Sequence, residues 1–524
     1  MSRKVRFPLY MRQFRTFVLD PIAMSDPAIP VASSRCGAVG FVDVQDASSL
    51  DQVLADIETI TRHAKSNVGI RIGSTNEELV SRILSSLPAA FEDIIVTVAS
   101  APSPDLLSKL NRRVWLEATS SDEAQLHEAI GAFGVIAKGS EAGGWTGEET
   151  TFVLVQRLVR ELDVPVLAMG GIGLHTAAAC FAAGCAGIVL DSQVALTRES
   201  PLPDNVKGEI RTMDGSETVT LGNPALGFFR CFSRGRMAHE VKKLAARAEE
   251  LGLHPSEKDA RAWRDAVRAA TTWGSLADSA WPLGQDAAFA SSLAARHATV
   301  GGIVTAIRDS VRDHLKTAAK LRPLDARSPL AISHGTTYPI VQGAMTRVSD
   351  RAPFADAVAD GGALPFLALA LLRAPEVEVL LEETRQALGD RSWGVGILGF
   401  VPADLREEQL EVVRRHPPKF ALIAGGRPDQ ARELEDLGIA TYLHVPSPGL
   451  LRHFAEDGAR RFVFEGRECG GHVGPRSSFV LWESMIETLL EIIPRDDASA
   501  FHVLFAGGVH DALSSAMVAA LSAP

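Results

Sequence analysis

Cysteine is scarce in this sequence. The five residues, Cys36, Cys180, Cys185, Cys231 and Cys469, are scattered, odd in number and without paired metal-ligand spacing. That argues against a disulfide framework and a structural zinc site, and it fits a reducing, cytoplasmic location with no metal. Long apolar runs are missing too: none approaches the roughly 20 residues needed to span a bilayer. The basic opening MSRKVRFPLYMRQFRTFVLD is followed by Pro21 and Asp26, and Asp20 closes it, so no export signal is visible. No long basic stripe appears, and the formal charge is -11, which leaves no electrostatic footprint for nucleic acid or an anionic membrane. The polar bias of disordered chains is also absent, with 46% hydrophobic and 22% charged residues. At 524 residues, two or more cores are expected.

From Phe17 to Leu196, short β-branched runs alternate with helical stretches: AVGFVDV, NVGIRIG, DIIVTVAS, RVWLEATS, FGVIAKG, VPVLAMGG and AGIVLD, after a less regular opening strand near FVLDPIAM. Continuous apolar strands separated by amphipathic helices are what a parallel sheet covered on both faces requires, and eight such units predict a closed (β/α)8 barrel over 1–222. Residues 223–326 read at helical spacing and predict a helical connector. A second strand series occupies 327–524: YPIVQGAM, ALPFLALA, WGVGILG, FALIAGG, TYLHV, RFVFEG and FHVLFAGG, then one helix. The expected fold is therefore α/β, two tandem TIM-barrel-like domains, the second with seven strands. Either an eighth strand is supplied by a longer polypeptide, or the second barrel is open or completed by a partner; the first is favoured, because an unpaired edge is an aggregation hazard. KGSEAGGWTG and EGRECGGHVG, each directly after a strand, point to an internal duplication.

The strongest chemical signal is Gly466 to Gly474, GRECGGHVG, at the C-terminal end of the sixth strand of the second copy. In a parallel barrel that end is the functional face. Gly470 and Gly471 let the backbone approach a planar ring or phosphate, and His472 then projects from a rigid loop; histidine's near-neutral unperturbed pKa suits it to proton transfer. A glycine turn with a surface histidine is the plain structural alternative. Gly507 and Gly508 after the seventh strand suit a phosphate-cradling turn. His334, His444, His502 and His510 are within reach of the same mouth by sequence position but form no metal-site spacing.

EGRECGGHVG, with YPIVQGAM and FAGGV, resembles the nitronate monooxygenase family, which includes flavin-dependent enoyl-acyl-carrier-protein reductases. The resemblance implies bound FMN, with His472 catalytic and main chain of Gln342, Gly343, Ala344 and Met345 laid against the flavin; Cys469 stands where the family has alanine. It implies two activities: nitronate oxidation with oxygen, or NAD(P)H-dependent reduction of carrier-bound enoyl thioesters. The duplicated barrel looks like the front of a polyketide or polyunsaturated-fatty-acid type synthase, with further synthase domains as partners. Non-catalytic docking or dimerisation barrels, compatible with a homo-oligomer, are the third reading.

In the first copy Trp145 replaces the histidine, and an indole cannot act as a base. Gly143, Gly144, Gly170, Gly171 and Gly173 nevertheless keep the loop and turn, so flavin binding and a scaffold role both stay open there. His175 reads as a helix-start residue. Arg230, Arg234, Arg236, Lys242 and Lys243 read as solvated helix charge, with a phosphate-binding cluster as the alternative.

Overall fold

The computed structural model describes residues 14–523 apart from 46–48, 74–76, 99–101, 104–106, 108–110, 236–237 and 472. The chain divides into two α/β units, one running up to Leu315 together with Ala512–Leu521, the other holding Lys316–Asp511. In the first, eight parallel strands close into a barrel: β1 (Arg15–Leu19), β2 (Val39–Asp43), β3 (Val68–Ile72), β4 (Phe91–Thr97), β5 (Arg113–Ala118), β6 (Gly134–Lys138), β8 (Val166–Met169) and β9 (Gly187–Leu190). β9 pairs back onto β1, and the short β7 (Gly144–Thr146) lies outside the barrel. The strands are the apolar runs expected from the sequence. Between them, helices such as Leu50–His63 bury one stripe, Val53, Ile57 and Ile60, and Ser49 caps its start by accepting the Gln52 amide.

Alternation along each strand sorts the barrel interior into layers. Phe17, Phe41 and Trp115 fill one layer, their rings 4.7 and 5.2 Å apart. Gly69 belongs to the same layer because a Cβ there would lie 2.2 Å from the Phe41 ring. Two residues further along the same strands stand Asp43, Arg71 and Glu117, and Lys138 follows Ile136 in the same way. This second layer, toward the C-terminal ends, is charged and buried.

The stretch 223–326 is helical from His239 onward, in His239–Leu251, Glu257–Ala270, Ala290–His297 and Val300–Leu321, but it opens on β structure where a helix was expected. β10 (Thr218–Asn223) and β11 (Gly227–Phe232) form an antiparallel hairpin, and β11 pairs with β7 of the first unit. Gly222 and Gly227, at φ +93° and +87°, flank a turn that breaks the apparent helical spacing. The helices His239–Leu251 and Glu257–Ala270 close over the hairpin through Val241, Leu244, Trp263 and Val267. The boundary between units falls near Leu315, and most of the expected connector belongs to the first.

The second unit holds seven parallel strands in consecutive order: β12 (Val341–Gln342), β13 (Leu364–Ala368), β14 (Gly394–Leu398), β15 (Phe420–Ala424), β16 (Ala440–His444), β17 (Arg461–Glu465) and β18 (His502–Ala506). Among the described residues β12 and β18 do not pair with each other, as the seven-strand count predicts. The helix Ala512–Leu521 follows β18. Among the described residues, no helix is long and apolar enough to cross a membrane.

Candidate active site

The loops after β6 and β17 are built alike, and the glutamate in each explains why. Glu141 accepts the Thr151 amide at 3.1 Å, at the start of helix Thr151–Glu161; Glu468 accepts the Ser478 amide at 2.8 Å and its hydroxyl at 2.6 Å, at the start of helix Ser478–Ile492. A carboxylate satisfies exposed donors there and complements the positive end of the helix dipole. Gly139 and Gly466 allow the approach, since a Cβ would lie 2.2 Å from the Thr151 amide nitrogen or 2.1 Å from Ser478 Oγ. Gly170 and Gly507 adopt φ of +108° and +122° against the same Thr151 and Ser478 hydroxyls. Gly466 and Gly507, candidate cofactor contacts by sequence, thus face a helix start. The capping role of Glu141 and Glu468 was missed by sequence reasoning, although the shared ten-residue step from each glutamate to its Thr or Ser was a readable signal.

At the second unit's C-terminal rim, other candidates face open space. A Cβ on Gly343, Gly470 or Gly471 would meet nothing within 4 Å, and Gly508 holds φ +70°. Met345, Leu371, Phe400 and Val473 are exposed around this rim, on loops after four different strands. Gln342 is tied to β13: its Nε2 donates to the Phe366 carbonyl and its Oε1 accepts the Phe366 amide, both at 3.3 Å. Ala344 packs where a Cβ on Gly396 would lie, 2.1 Å away. At the ends of β16 and β17, His444 Nδ1 stands 2.8 Å from Glu465 Oε2. Burial, then Glu465 and Glu468, push the Cys469 thiol up to about 12, so it is not a thiolate near neutrality. His472 lies outside the described residues.

His334 and His502 do not reach this rim. His334 ends the helix Pro329–His334, is buried, contacts Tyr442 Oη at 2.7 Å and packs edge-on against Phe420 at the start of β15. Burial and His502 push it down to about 4, so it is neutral. His502 opens β18, at the end of the strand opposite Gly507. Of the four candidate histidines, His444, at the end of β16, and His510, after β18, lie on the rim side.

Around the first unit's motif loop and the turn after β8, the described residues pack closely. A Cβ on Gly143 would lie 2.2 Å from the Pro282 carbonyl oxygen, and one on Gly144 2.7 Å from Ile22 Cδ1. Trp145, within β7, meets Phe229 and Trp263 edge-on at 5.3 and 6.0 Å. Gly171 and Gly173 also have protein partners, Asp286 and Thr176. Below them, Arg71 reaches Asp43 at 3.1 Å and Glu117 at 2.6 Å, and Lys138 reaches Glu117 at 3.0 Å. Burial alone would raise the Glu117 acid, but Arg71 and Lys138 overcome it and hold it below the ordinary range. Arg230 sits on β11, not on a helix, and donates to the Ser140 carbonyl and to Thr218 Oγ1; Arg234 pairs with Glu209 and Glu217. His175 precedes helix Thr176–Ala183 and contacts His314 at 2.9 Å.

Residues 24–267 match the family described as nitronate monooxygenase, a family of oxidoreductases. A Mycobacterium tuberculosis protein described as a monooxygenase is 37% identical over 141 residues, which cover 25% of this chain and 38% of that protein. The (3aS,4S,5R,7aS)-5-hydroxy-7a-methyl-1-oxo-octahydro-1H-indene-4-carboxyl-CoA dehydrogenase of Rhodococcus jostii is 27% identical over 195 residues, 36% of this chain and 53% of that enzyme. The chain thus spans about half or less of these two relatives. The solved structure of FabK from Thermotoga maritima is 23% identical, with a TM-score of 0.49, covering 60% of this chain and 96% of that one. The family match falls within the first unit, whereas the motif loop carrying a histidine lies in the second. Over residues 24–267 this chain carries the pattern of the nitronate monooxygenase family.

Proposed function

We propose that the chain is an FMN-dependent oxidoreductase of the nitronate monooxygenase type, that its two units are diverged copies, and that the second unit does the chemistry. The duplication is supported by the shared cap: Gly139, Glu141 and Thr151 are spaced as Gly466, Glu468 and Ser478, with the same contacts. The observation that carries the assignment to the second unit is the free space over Gly343, Gly470 and Gly471 at the C-terminal rim of a parallel sheet. Those glycines fit a planar ring laid on main chain, and Gly508, next to the Gly507 that admits the helix start, fits a phosphate turn. When bound, FMN supplies the redox chemistry. The chain supplies His472, which takes or holds the substrate proton, and the glycine backbone that places it. His444 Nδ1 and Glu465 Oε2, 2.8 Å apart, stand at the C-terminal ends of β16 and β17.

The carboxyl-CoA dehydrogenase among the relatives favours a second reading for the same site, NAD(P)H-dependent reduction of an enoyl thioester carried on CoA or an acyl carrier. An absorption spectrum of the purified chain tests the cofactor. A flavin band, with turnover on either a nitronate or an enoyl thioester, is expected. A colourless preparation that takes up no added FMN overturns the proposal in favour of non-catalytic barrels.

A further inference from the structure

In a barrel of this kind the glycine turn after the seventh barrel strand offers main-chain amides to a phosphate. In the first unit that turn follows β8, and two of its amides, those of Gly171 and Gly173, are in use. Gly171 donates to Asp286 Oδ2 at 3.1 Å. Gln193 Nε2 donates to the same oxygen at 2.9 Å and to the Ile172 carbonyl at 3.0 Å. The Gly173 amide donates to Thr176 Oγ1 at 2.8 Å. Asp286 is carried on the short 3-10 turn Gln285–Phe289, which is fastened to the motif loop by the Gln285 amide donating to the Glu141 carbonyl at 2.8 Å. The fit is close: a Cβ on Gly284 would lie 2.5 Å from both Asp286 Oδ1 and the Glu141 oxygen. Asp286 is fully buried.

Two further observations point the same way. Asp191 directly follows β9, and its Oδ1 is buried without a hydrogen-bond partner among the described residues. Burial, then the neighbouring Asp191 and Glu141, raise the Asp286 acid well above its ordinary value, so this corner is already crowded with acidic groups. The nearby cations offset this only in part: burial leaves the Asp191 acid raised although Lys138 and Arg71 lower it, and both are already paired, Arg71 with Asp43 and Glu117 and Lys138 with Glu117. A phosphate entering here would have to displace a carboxyl from the Gly171 amide and then sit among acids.

We propose that the first barrel is closed to flavin mononucleotide, with its own Asp286 seated where the phosphate would dock, so that one chain holds at most one flavin. The inference does not depend on what the second unit catalyses. Flavin stoichiometry of the intact chain, reconstituted with excess FMN, tests it alongside Gly171→Val and Gly508→Val. At most one equivalent is expected, unchanged by Gly171→Val and lost with Gly508→Val. Two equivalents, or one equivalent lost with Gly171→Val and kept with Gly508→Val, overturn the proposal. If no flavin binds at all, the closed first barrel stands and the proposed function of the second unit fails. A measurement that needs no variant guards against misfolding: with FMN added to the wild-type chain, amide exchange in a peptide covering 170–176 is expected to be unchanged. Slowed exchange there on FMN addition refutes the closed barrel.

Discussion

Replacing Glu117 with Gln isosterically removes the charge that holds the first unit's buried layer together. Glu117 accepts from Arg71 Nη2 through both oxygens, at 2.7 and 2.6 Å, and from Lys138 Nζ at 3.0 Å, and all three side chains are 1–3% exposed. The variant leaves two buried cations facing Asp43 and Asp191, and stranding a buried charge in this way typically costs about 3–5 kcal/mol. With a urea dependence of about 3 kcal/mol per molar, the transition reporting the first unit moves down by about 1–1.7 M. The loss is pH-dependent with a defined sign. Glu117's folded pKa lies below its ordinary 4.5, so its contribution is present above that value and disappears as pH falls through the folded one. The difference between wild type and Glu117→Gln is therefore expected to shrink in acid. Urea melts of both proteins at neutral and acidic pH measure it. An unchanged midpoint at neutral pH, or a difference that grows as pH falls, refutes the reasoning.

Glu468→Ala removes the cap of helix Ser478–Ile492 and is expected to cost about 1–2 kcal/mol, read by denaturant midpoint, with Glu141→Ala behaving alike in the first unit. Trp145→Ala is expected to destabilise by about 2–4 kcal/mol, because the indole packs against Phe229 and Trp263, while leaving flavin content unchanged. Thermal melting and an absorption spectrum on one sample separate the two effects. Cys469 should react slowly with thiol reagents at neutral pH, since its thiol is pushed up to about 12; labelling as fast as a free cysteine contradicts that assignment.

Strands were legible in the sequence because their apolar runs are continuous, as in Val135–Ala137, and the seven-strand count of the second unit could be read the same way. The hairpin was not legible. LGFFRCF precedes a long charged helical stretch, and only the left-handed glycines 222 and 227 mark the turn that turns it into β structure. The motif loops were found by their glycines, yet those glycines serve two ends: Gly466 and Gly507 admit a helix start, while Gly470 and Gly471 face open space. Spacing does not distinguish these roles. Nor did it reveal Asp286, which reaches Gly171 from a turn 115 positions away along the chain. His334 and His502 were misplaced because position along a strand, not proximity in sequence to a motif, decides which rim a side chain reaches.

Turnover of His472→Ala with a nitronate and with an enoyl thioester tests most directly whether the second unit works through His472. General acid–base assistance by one placed side chain is commonly worth about 10²–10⁴-fold, so a fall of that size with flavin retained is expected. Full activity in His472→Ala on both substrates, together with its loss in Trp145→Ala, would mean that the chemistry resides in the first unit.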